Sequence, residues 1–359
     1  MLMAAGLAVA SMFPSCSSAE LKRSRLQTIQ KSPNYKNGVF VNPVPTSIYT
    51  GSNVWDVTWR WMTKRNRILE PTQELDFKSD VACHPLLSNN GLRAIWIGHS
   101  TVMIEIDGKR FLTDPMWSKR ATPVRPFGPV RFFGSPLMLE QIPKIDGVII
   151  SHDHFDHLDC ATITKLAKTG VMFYAPLGVG HLLETWGISS DQIKELDWWD
   201  QVSVGKNHTL IATPARHFSG RGLFNRNSTL WCSWVITGRE HNIFFGGDGG
   251  MWPGFKSIGV KYGPFDISFL QIGAYNSDWK NIHMFPEEAV KAHLDLKGGV
   301  LLPIHWGTFN LAFHSWTEPV ERLLTSAHES NIKLSLPRPG QFIDFQDISI
   351  NSYWWKSTA

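Results

Sequence analysis

Four short apolar segments, each ending just before a histidine or an aspartate, constrain the fold of this chain most strongly. The segments occupy residues 148–150, 209–213, 243–245 and 300–304. Runs of this length are typical of strands buried inside a sheet. The first leads into a loop rich in histidine and aspartate, and the others lead into His217, Asp248 and His305. Because ligands of α/β sheets gather at the carboxyl ends of the strands, the pattern predicts an α/β domain with its functional side chains on one edge.

Other segments predict the elements around these strands. Residues 92–97 and 102–106 have strand character, and Asp107-Gly108 after the second favours a type I′ turn. We therefore expect residues 110–113 to complete a hairpin. Helices are predicted after Asp159, around 178–186, and over 286–296 and 317–331.

The length and charge of the chain set its domain organisation and exclude one class of partner. Its 359 residues are enough for one large α/β domain with an extension. We divide the chain into a targeting segment, an extension, a main domain and a tail, at residues 1–20, 21–90, 91–345 and 346–359. The formal net charge of +4, without a block of Lys or Arg, argues against binding of nucleic acid.

The first twenty residues contain a candidate targeting signal. Residues 2–13 form an apolar run about as long as the core of a signal peptide and too short to span a bilayer. Cys16 follows this run and is itself followed by small and polar residues, which resembles a bacterial lipoprotein signal. We therefore expect a membrane-associated, extracytoplasmic protein lipidated at Cys16, with a cleaved secretory signal and a cytoplasmic protein as the alternatives.

The extension contains two different parts. Residues 21–50 show no helical or strand period, so we expect an extended arm. In residues 53–69, Trp55, Trp59 and Met62 recur at helical spacing among arginines and lysines. Two interpretations are open: a helix packed on the main domain, or a Trp-rich basic helix that lies on a phospholipid membrane surface.

The loop after the first apolar segment, SHDHFDHLD, holds three of the chain's 14 histidines and three aspartates within nine positions. Imidazole nitrogen and carboxylate oxygen are the ligands of zinc and its first-row neighbours. His152 and His154, two residues apart in an extended loop, point the same way and can hold one ion. Asp156 and His157 lie further along and could hold a second ion. The loop therefore predicts a metal site.

One loop cannot complete two coordination spheres, so further ligands must come from other strand ends. His217, Asp248 and His305 are the candidates. Asp248 lies in the sequence Gly-Gly-Asp-Gly-Gly, where the glycines allow the backbone to approach an ion closely. Each of these residues alone is weak evidence for a metal ligand. Their combination, in this order after the histidine-rich loop, is strong evidence.

Asp114, the histidine-rich loop, His217, Asp248 and His305, in this order, resemble the metallo-β-lactamase superfamily of binuclear hydrolases. The segments WIGHSTVMIEIDGKRFLTDPMWSKRATP, FGGD, PEEAVKAH and PIHWGTF narrow the resemblance to the N-acylphosphatidylethanolamine-hydrolysing phospholipase D family. The likeness covers about residues 91–345, and FVNPVPT in the arm extends it weakly. It implies an α/β fold of the four-layer αββα sandwich type, with an N-terminal extension.

The resemblance also implies two Zn²⁺ ions and their ligands. One ion is assigned to His152, His154 and His217, the other to Asp156, His157 and His305, with Asp248 bridging the two. Asp114 is expected to support the loop and His99 to lie near the site. His283 is expected to contact the substrate phosphate, and with Asp156 and Asp248 it completes the implied catalytic set. The chain departs from the family pattern at Gly249, where threonine is common, and at Phe285, where an acidic residue is usual.

The implied reaction is hydrolysis of N-acylphosphatidylethanolamine, or a related phospholipid, to N-acylethanolamine and phosphatidic acid at a membrane surface. A hydroxide held between the ions would attack, and Asp248 or a neighbouring carboxylate would take its proton. One alternative is hydrolysis of another ester, such as a sugar-phosphate lactone or a cyclic phosphodiester. Iron and oxygen chemistry and a non-catalytic surface lipoprotein are further alternatives. The oligomeric state is open, with a homodimer as one option.

Overall fold

The structure is a computed structural model that describes residues 19–51, 57, 59–60, 63, 69–73, 75–79, 90–122, 127–222, 224–345 and 352–357. The predictions for Cys16 and Trp55 lie outside these residues. Within them, no helix combines the length and the apolar character that crossing a bilayer requires.

The described part of the chain contains strands and α-helices. Its strands are β1 (Tyr35–Lys36), β2 (Val39–Phe40), β3 (Leu92–Gly98), β4 (Thr101–Ile106), β5 (Lys109–Thr113), β6 (Gly147–Ile149), β7 (Phe173–Pro176), β8 (Ile193–Leu196), β9 (Gln201–Val204), β10 (His208–Thr213), β11 (Ser233–Thr237), β12 (Asn242–Phe245), β13 (Phe265–Gln271), β14 (Gly298–Ile304), β15 (Lys333–Leu334) and β16 (Phe342–Asp344). Its α-helices are α1 (Ala19–Lys31), α2 (Cys160–Ala167), α3 (Val179–Thr185), α4 (Gly254–Tyr262), α5 (Pro286–Asp295) and α6 (Glu318–Glu329).

Two mixed sheets, each of seven strands within the described residues, form the centre of the fold. The first has the order β16-β3-β4-β5-β6-β7-β8, antiparallel from β16 to β5 and parallel from β5 to β8. The second has the order β15-β14-β13-β12-β11-β10-β9, antiparallel from β9 to β12 and parallel from β12 to β15.

Alternating side chains pack the two sheets into a sandwich with helices outside. In β3, Ala94 and Trp96 belong to the core shared by both sheets, whereas Ile95 and Ile97 pack with α2 and α3. On the opposite side α5 packs on β13 and β14, and α4 and α6 flank it. The predicted four-layer αββα sandwich is therefore confirmed.

The hairpin predicted from Asp107-Gly108 is also confirmed. β4 and β5 pair in antiparallel register around it, and φ is 47° at Asp107 and 86° at Gly108. Both central residues of a type I′ turn need a positive φ, which glycine and aspartate adopt more easily than most residues. The hairpin directs β5 towards Asp114 at the other end of the strand.

The prediction of an extended arm over residues 21–50 is wrong in part, because the chain is helical in α1. The sequence of this helix, AELKRSRLQTIQK, is polar on most faces, so no apolar stripe reveals it. Arg25 instead ties the helix to the main domain through ion pairs with Glu184, at 2.8 Å, and with Glu195. Tertiary contacts of this kind stabilise a helix whose own pattern is weak.

Candidate metal centre

Four strands end at one edge of the sandwich, and the predicted ligands lie there. The loop of residues 151–159 follows β6 of the first sheet, while His217, Asp248 and His305 follow β10, β12 and β14 of the second. Most of these side chains are buried. The two sheets therefore contribute histidines and aspartates to a single buried cluster.

His152, His154 and His217 form a first group of facing nitrogen atoms. His152 Nε2 lies 2.8 Å from His154 Nδ1, and His217 Nε2 lies 3.3 Å from that same atom. His217 Nδ1 donates to the carbonyl oxygen of Ile282 at 2.9 Å, so Nε2 of the neutral ring carries no proton. Nitrogen ligands of a tetrahedral ion such as zinc lie about 3.3 Å apart, given bonds of 2.0–2.1 Å. The three nitrogen atoms therefore fit one ion.

His157, His305 and Asp156 form a second group, and Asp248 lies between the two groups. The Nε2 atoms of His157 and His305 both lie 3.4 Å from Asp156 Oδ2. Asp248 Oδ2 lies 3.2 Å from His157 Nε2 and 3.1 Å from His305 Nε2. The same oxygen lies 3.9 Å from His217 Nε2 of the first group. One carboxylate therefore borders both groups, as a bridging ligand would.

Several polar atoms of this centre are buried and have no hydrogen-bond partner. They are His157 Nε2, both ring nitrogens of His305, and Asp248 Oδ1. Such atoms are rare in protein interiors, because burial without a partner costs about 1–3 kcal/mol each. A bound cation would satisfy the Nε2 atoms of His157 and His305 and the Asp248 oxygen, so these residues fit the metal that the donor set implies.

Asp114 holds the histidine-rich loop in place. Its Oδ2 accepts the Nδ1 proton of His157 at 2.8 Å, and its two oxygens accept the hydroxyl and the N–H of Ser151 at 2.6 and 2.7 Å. His157 Nε2 is thereby left to face Asp248. Ser151 Oγ also lies 2.9 Å from His152 Nδ1. Asp114 therefore orients histidines of both groups, one directly and one through Ser151.

His99 positions Asp156 on the opposite side of the second group. Its Nε2 lies 2.8 Å from Asp156 Oδ2, and its ring centroid lies 4.0 Å from that of His305. The backbone of His99 has a φ of 54°, and its N–H donates to Thr308 Oγ1 at 2.7 Å. The ring is therefore fixed from two directions, and it fixes the carboxylate in turn.

Without a bound cation, histidines of the first group are neutral, whereas His157 of the second group carries a proton on both ring nitrogens. Burial lowers the pKa of His154 to about 4 and the pKa of His217 to about 3, so both rings are neutral at pH 7. Burial also opposes a charge on His157, but Asp248 and Asp156 outweigh it and raise the pKa of His157 well above its ordinary value. A proton on His157 therefore offsets the buried carboxylates, and a bound cation would displace it.

His283 lies beside the same centre and is held by a glutamine. Its Nδ1 lies 3.0 Å from Gln271 Oε1 and 3.9 Å from Asp248 Oδ2. Gln271 Nε2 donates to the carbonyl of Gly249 at 3.1 Å, so Oε1 accepts the Nδ1 proton of His283. Burial lowers the pKa of His283 well below its ordinary value. The ring is therefore neutral, and its Nε2 is an acceptor.

The structure brings most of the predicted site residues into one cluster. The clustered residues are His99, Asp114, His152, His154, Asp156, His157, His217, Asp248, His283 and His305. Trp59 is not one of them, and its side chain is 64% exposed. Sequence analysis missed Ser151, Gln271 and Asn42, which contact site residues. Ser151 and Gln271 could have been identified from the sequence, because each is a polar residue at the end of an apolar run.

Comparisons with known proteins agree with this geometry. A sequence model described as the Beta-lactamase superfamily domain matches residues 109–306. An uncharacterized protein of Mycobacterium tuberculosis is 44% identical over 338 residues, covering 91% of this chain and 88% of that protein. The N-acyl-phosphatidylethanolamine-hydrolyzing phospholipase D 1 of Caenorhabditis elegans is 33% identical over 310 residues, covering 80% of this chain and 86% of that protein.

A solved structure shares the fold. Igni18, a metallo hydrolase from the archaeon Ignicoccus hospitalis, aligns with a TM-score of 0.56 at 23% identity, covering 71% of this chain and 98% of that chain. The family match spans more than half of the chain, and the clustered histidines and aspartates have the composition of a metal site. The chain therefore belongs to the Beta-lactamase superfamily, as a metallohydrolase.

Proposed function

We propose that the protein is a phospholipase D-type phosphodiesterase that uses two zinc ions to hydrolyse N-acylphosphatidylethanolamine or a related phospholipid. The observation that carries this proposal is the position of Asp248 Oδ2 between two histidine-rich groups, in a chain 33% identical to the phospholipase D of C. elegans. Imidazole and carboxylate ligands suit zinc.

The protein's own part in the reaction is to orient the metal ligands and the attacking water. Two bound ions would supply an acidified water and offset the negative charge that develops on a phosphodiester. Burial favours the neutral form of Asp248, but His157 and His305 outweigh it and lower the pKa of Asp248 well below its ordinary value. Asp248 Oδ1 has no hydrogen-bond partner. This carboxylate is therefore ionised, which suits a metal ligand that also accepts a hydrogen bond from the attacking water.

His283 suits the role of hydrogen-bond acceptor in this scheme. Its proton is on Nδ1, where Gln271 accepts it, so Nε2 can receive a hydrogen bond from the amide N–H of an N-acyl head group or from water. This differs from the contact with phosphate expected from the resemblance, for which Nε2 would have to donate.

Product identification tests the proposed reaction. Vesicles that contain N-acylphosphatidylethanolamine should yield phosphatidic acid and N-acylethanolamine in equal amounts with the zinc-loaded protein. Asp156→Asn removes a ligand charge and should lower the rate by about 100-fold or more. Mass spectrometry distinguishes these products from those of other bond cleavages. A preference for a lactone or a cyclic phosphodiester would assign another substrate, and inactivity towards every ester would favour the non-catalytic alternative.

The membrane surface is proposed to lie next to Trp59, and lipidation of Cys16 would hold the protein at that surface. Val57 is buried in a cluster with Trp279, and Arg60 forms an ion pair with Asp278, so these two residues contact the main domain. Trp59 itself is 64% exposed. An exposed tryptophan beside a basic residue suits the head-group region of a bilayer.

Trp59→Ser should weaken binding to phospholipid vesicles by about 10- to 150-fold, because burial of a large aromatic side chain in the bilayer contributes about 1.5–3 kcal/mol. Vesicle sedimentation measures this change, and hydrolysis of a soluble phosphodiester should stay the same. Trp199→Ser is the matched control, since Trp199 is 40% exposed and stacks on Tyr262 in α4. Equal vesicle binding by the Trp59 variant and the intact protein would count against this surface.

A further inference from the structure

Residues 32–50, the part of the arm that follows α1, run along the edge of the metal centre. Backbone hydrogen bonds anchor both of its ends, from Phe40 to the carbonyl of Asn227 at 2.8 Å and from Thr50 to the carbonyl of Asp278 at 2.7 Å. The residues between these anchors contact the loop that carries His217. The arm is therefore in place to influence a candidate metal ligand.

Asn42 makes a two-point contact with the backbone of His217. Its Oδ1 accepts the His217 N–H at 3.0 Å, and its Nδ2 donates to the His217 carbonyl at 2.7 Å. The neighbouring Arg216 donates from Nε to Thr46 Oγ1 at 3.0 Å. The two bonds of Asn42 act on the peptide groups on either side of one Cα, so they fix both its position and its orientation.

The arm also supports the partner of the His217 ring. Asn281 Nδ2 donates to the carbonyl of Ser47 at 3.0 Å. The next residue, Ile282, provides the carbonyl that accepts the His217 Nδ1 proton at 2.9 Å. The arm therefore restrains the ring of His217 as well as its backbone.

His217 needs this support because it lies outside regular structure. Residues 214–222 contain neither helix nor strand, so hydrogen bonds along a strand do not fix this loop. By contrast, His152 belongs to a loop that Asp114 and Ser151 hold through several hydrogen bonds. The two hydrogen bonds from the Asn42 side chain hold the backbone of His217 in a comparable way.

We propose that Asn42 is a positioning residue that fixes His217 for binding of the first ion. Loss of a residue that orients a metal ligand typically weakens metal binding by about 10–100-fold. Asn42 lies outside residues 109–306, which match the superfamily, so the arm supplies a part of the metal centre that the matched segment lacks. This inference rests on the proposed two-ion centre and is independent of the lipid substrate.

Metal binding by the full chain tests the role of Asn42. Asn42→Ala removes both hydrogen bonds, and Asn42→Asp keeps the shape but places an oxygen against the His217 carbonyl. Each zinc-loaded protein is titrated with a chromophoric chelator. The intact protein should release two ions at high chelator concentration, and each variant should release one of its ions at about 10–100-fold lower concentration. Asn34→Ala is the matched control, since Asn34 bonds to Asp197 at 2.8 Å and should behave as the intact protein.

Three results would overturn the proposal. The first is unchanged affinity for both ions in the two Asn42 variants. The second is loss of both ions together with a lower melting temperature of the chelator-treated variants, because that result assigns Asn42 to the fold. The third is a single ion in the intact protein, which refutes the two-ion centre as well. Two ions in a protein that does not hydrolyse the lipid would refute the substrate and leave the role of Asn42 intact.

Discussion

Replacing Asp248 with asparagine should prevent tight binding of both ions and lower kcat/KM for phosphodiester hydrolysis by about 10³-fold or more. Asp248 Oδ2 lies within 3.9 Å of ring nitrogens in both groups, so the substitution removes a negative charge that both ions would share. A loss of about 4 kcal/mol in transition-state stabilisation corresponds to this factor. Asp156→Asn alters the second group alone and should leave the first ion bound.

Asp107→Asn is the matched control for this experiment. Asp107 is also a buried carboxylate, but it accepts the N–H groups of Glu240 and His241 at the opposite end of β5. The control should unfold at a lower temperature and keep both ions and the rate of the intact protein. Elemental analysis counts the ions, and a chromogenic phosphodiester reports the rate. A full metal content in Asp248→Asn would refute a bridging role for this carboxylate.

The metal loop could be predicted from the sequence because its chemistry is local. His152, His154, Asp156 and His157 lie within six positions, which few structural roles would require. The strands that carry the other ligands were predicted within about two residues of their observed bounds, since buried strands are visible as short apolar runs. Once these strands are placed in one sandwich, their carboxyl ends meet and the ligands follow.

The residues that position the ligands could not be predicted, because their partners are distant along the chain. Asn42 is 175 residues from His217, and Arg25 of α1 is 170 residues from Glu195. A sequence pattern reports local periodicity, whereas these contacts exist only in the finished fold. Helix α4 was missed for a local reason, since its sequence GFKSIGVKY contains two glycines, which have low helix propensity.

Removal of the metal should make the folded protein sensitive to mild acid. Burial lowers the pKa of His154 to about 4 and, for His99 and His217, to about 3. The pKa of an unfolded histidine is about 6.5. Below pH 6.5 the unfolded chain therefore binds protons that the folded chain excludes. As the pH falls, each ring lowers the free energy of unfolding by about 1.4 kcal/mol per pH unit, so three rings lower it by about 4 kcal/mol per pH unit.

His157 changes the free energy of unfolding in the opposite direction, and it sets an upper limit on the pH range in which the metal-free protein is stable. Burial opposes its charge, but Asp248 and Asp156 raise the pKa of His157 well above its ordinary value. Its contribution to stability is therefore complete below about pH 6.5 and is lost as the pH rises through its pKa in the folded protein. The histidines with a lowered pKa and His157 with a raised pKa together make the metal-free protein most stable near neutral pH.

Urea unfolding between pH 5 and pH 8, followed by tryptophan fluorescence, measures this dependence with and without chelator. We expect the urea midpoint of the chelator-treated protein to fall steeply below pH 6.5. The urea midpoint of the zinc-loaded protein should change little over the pH range in which its ions stay bound, because the ions then occupy ring nitrogens that would otherwise bind protons. His154→Gln should reduce the slope by one ring's share, whereas His181→Gln, which changes an exposed residue of α3, should not. Identical pH dependence in the two preparations would mean that His154 and His217 are not metal ligands, and it would refute the assignment of the first group.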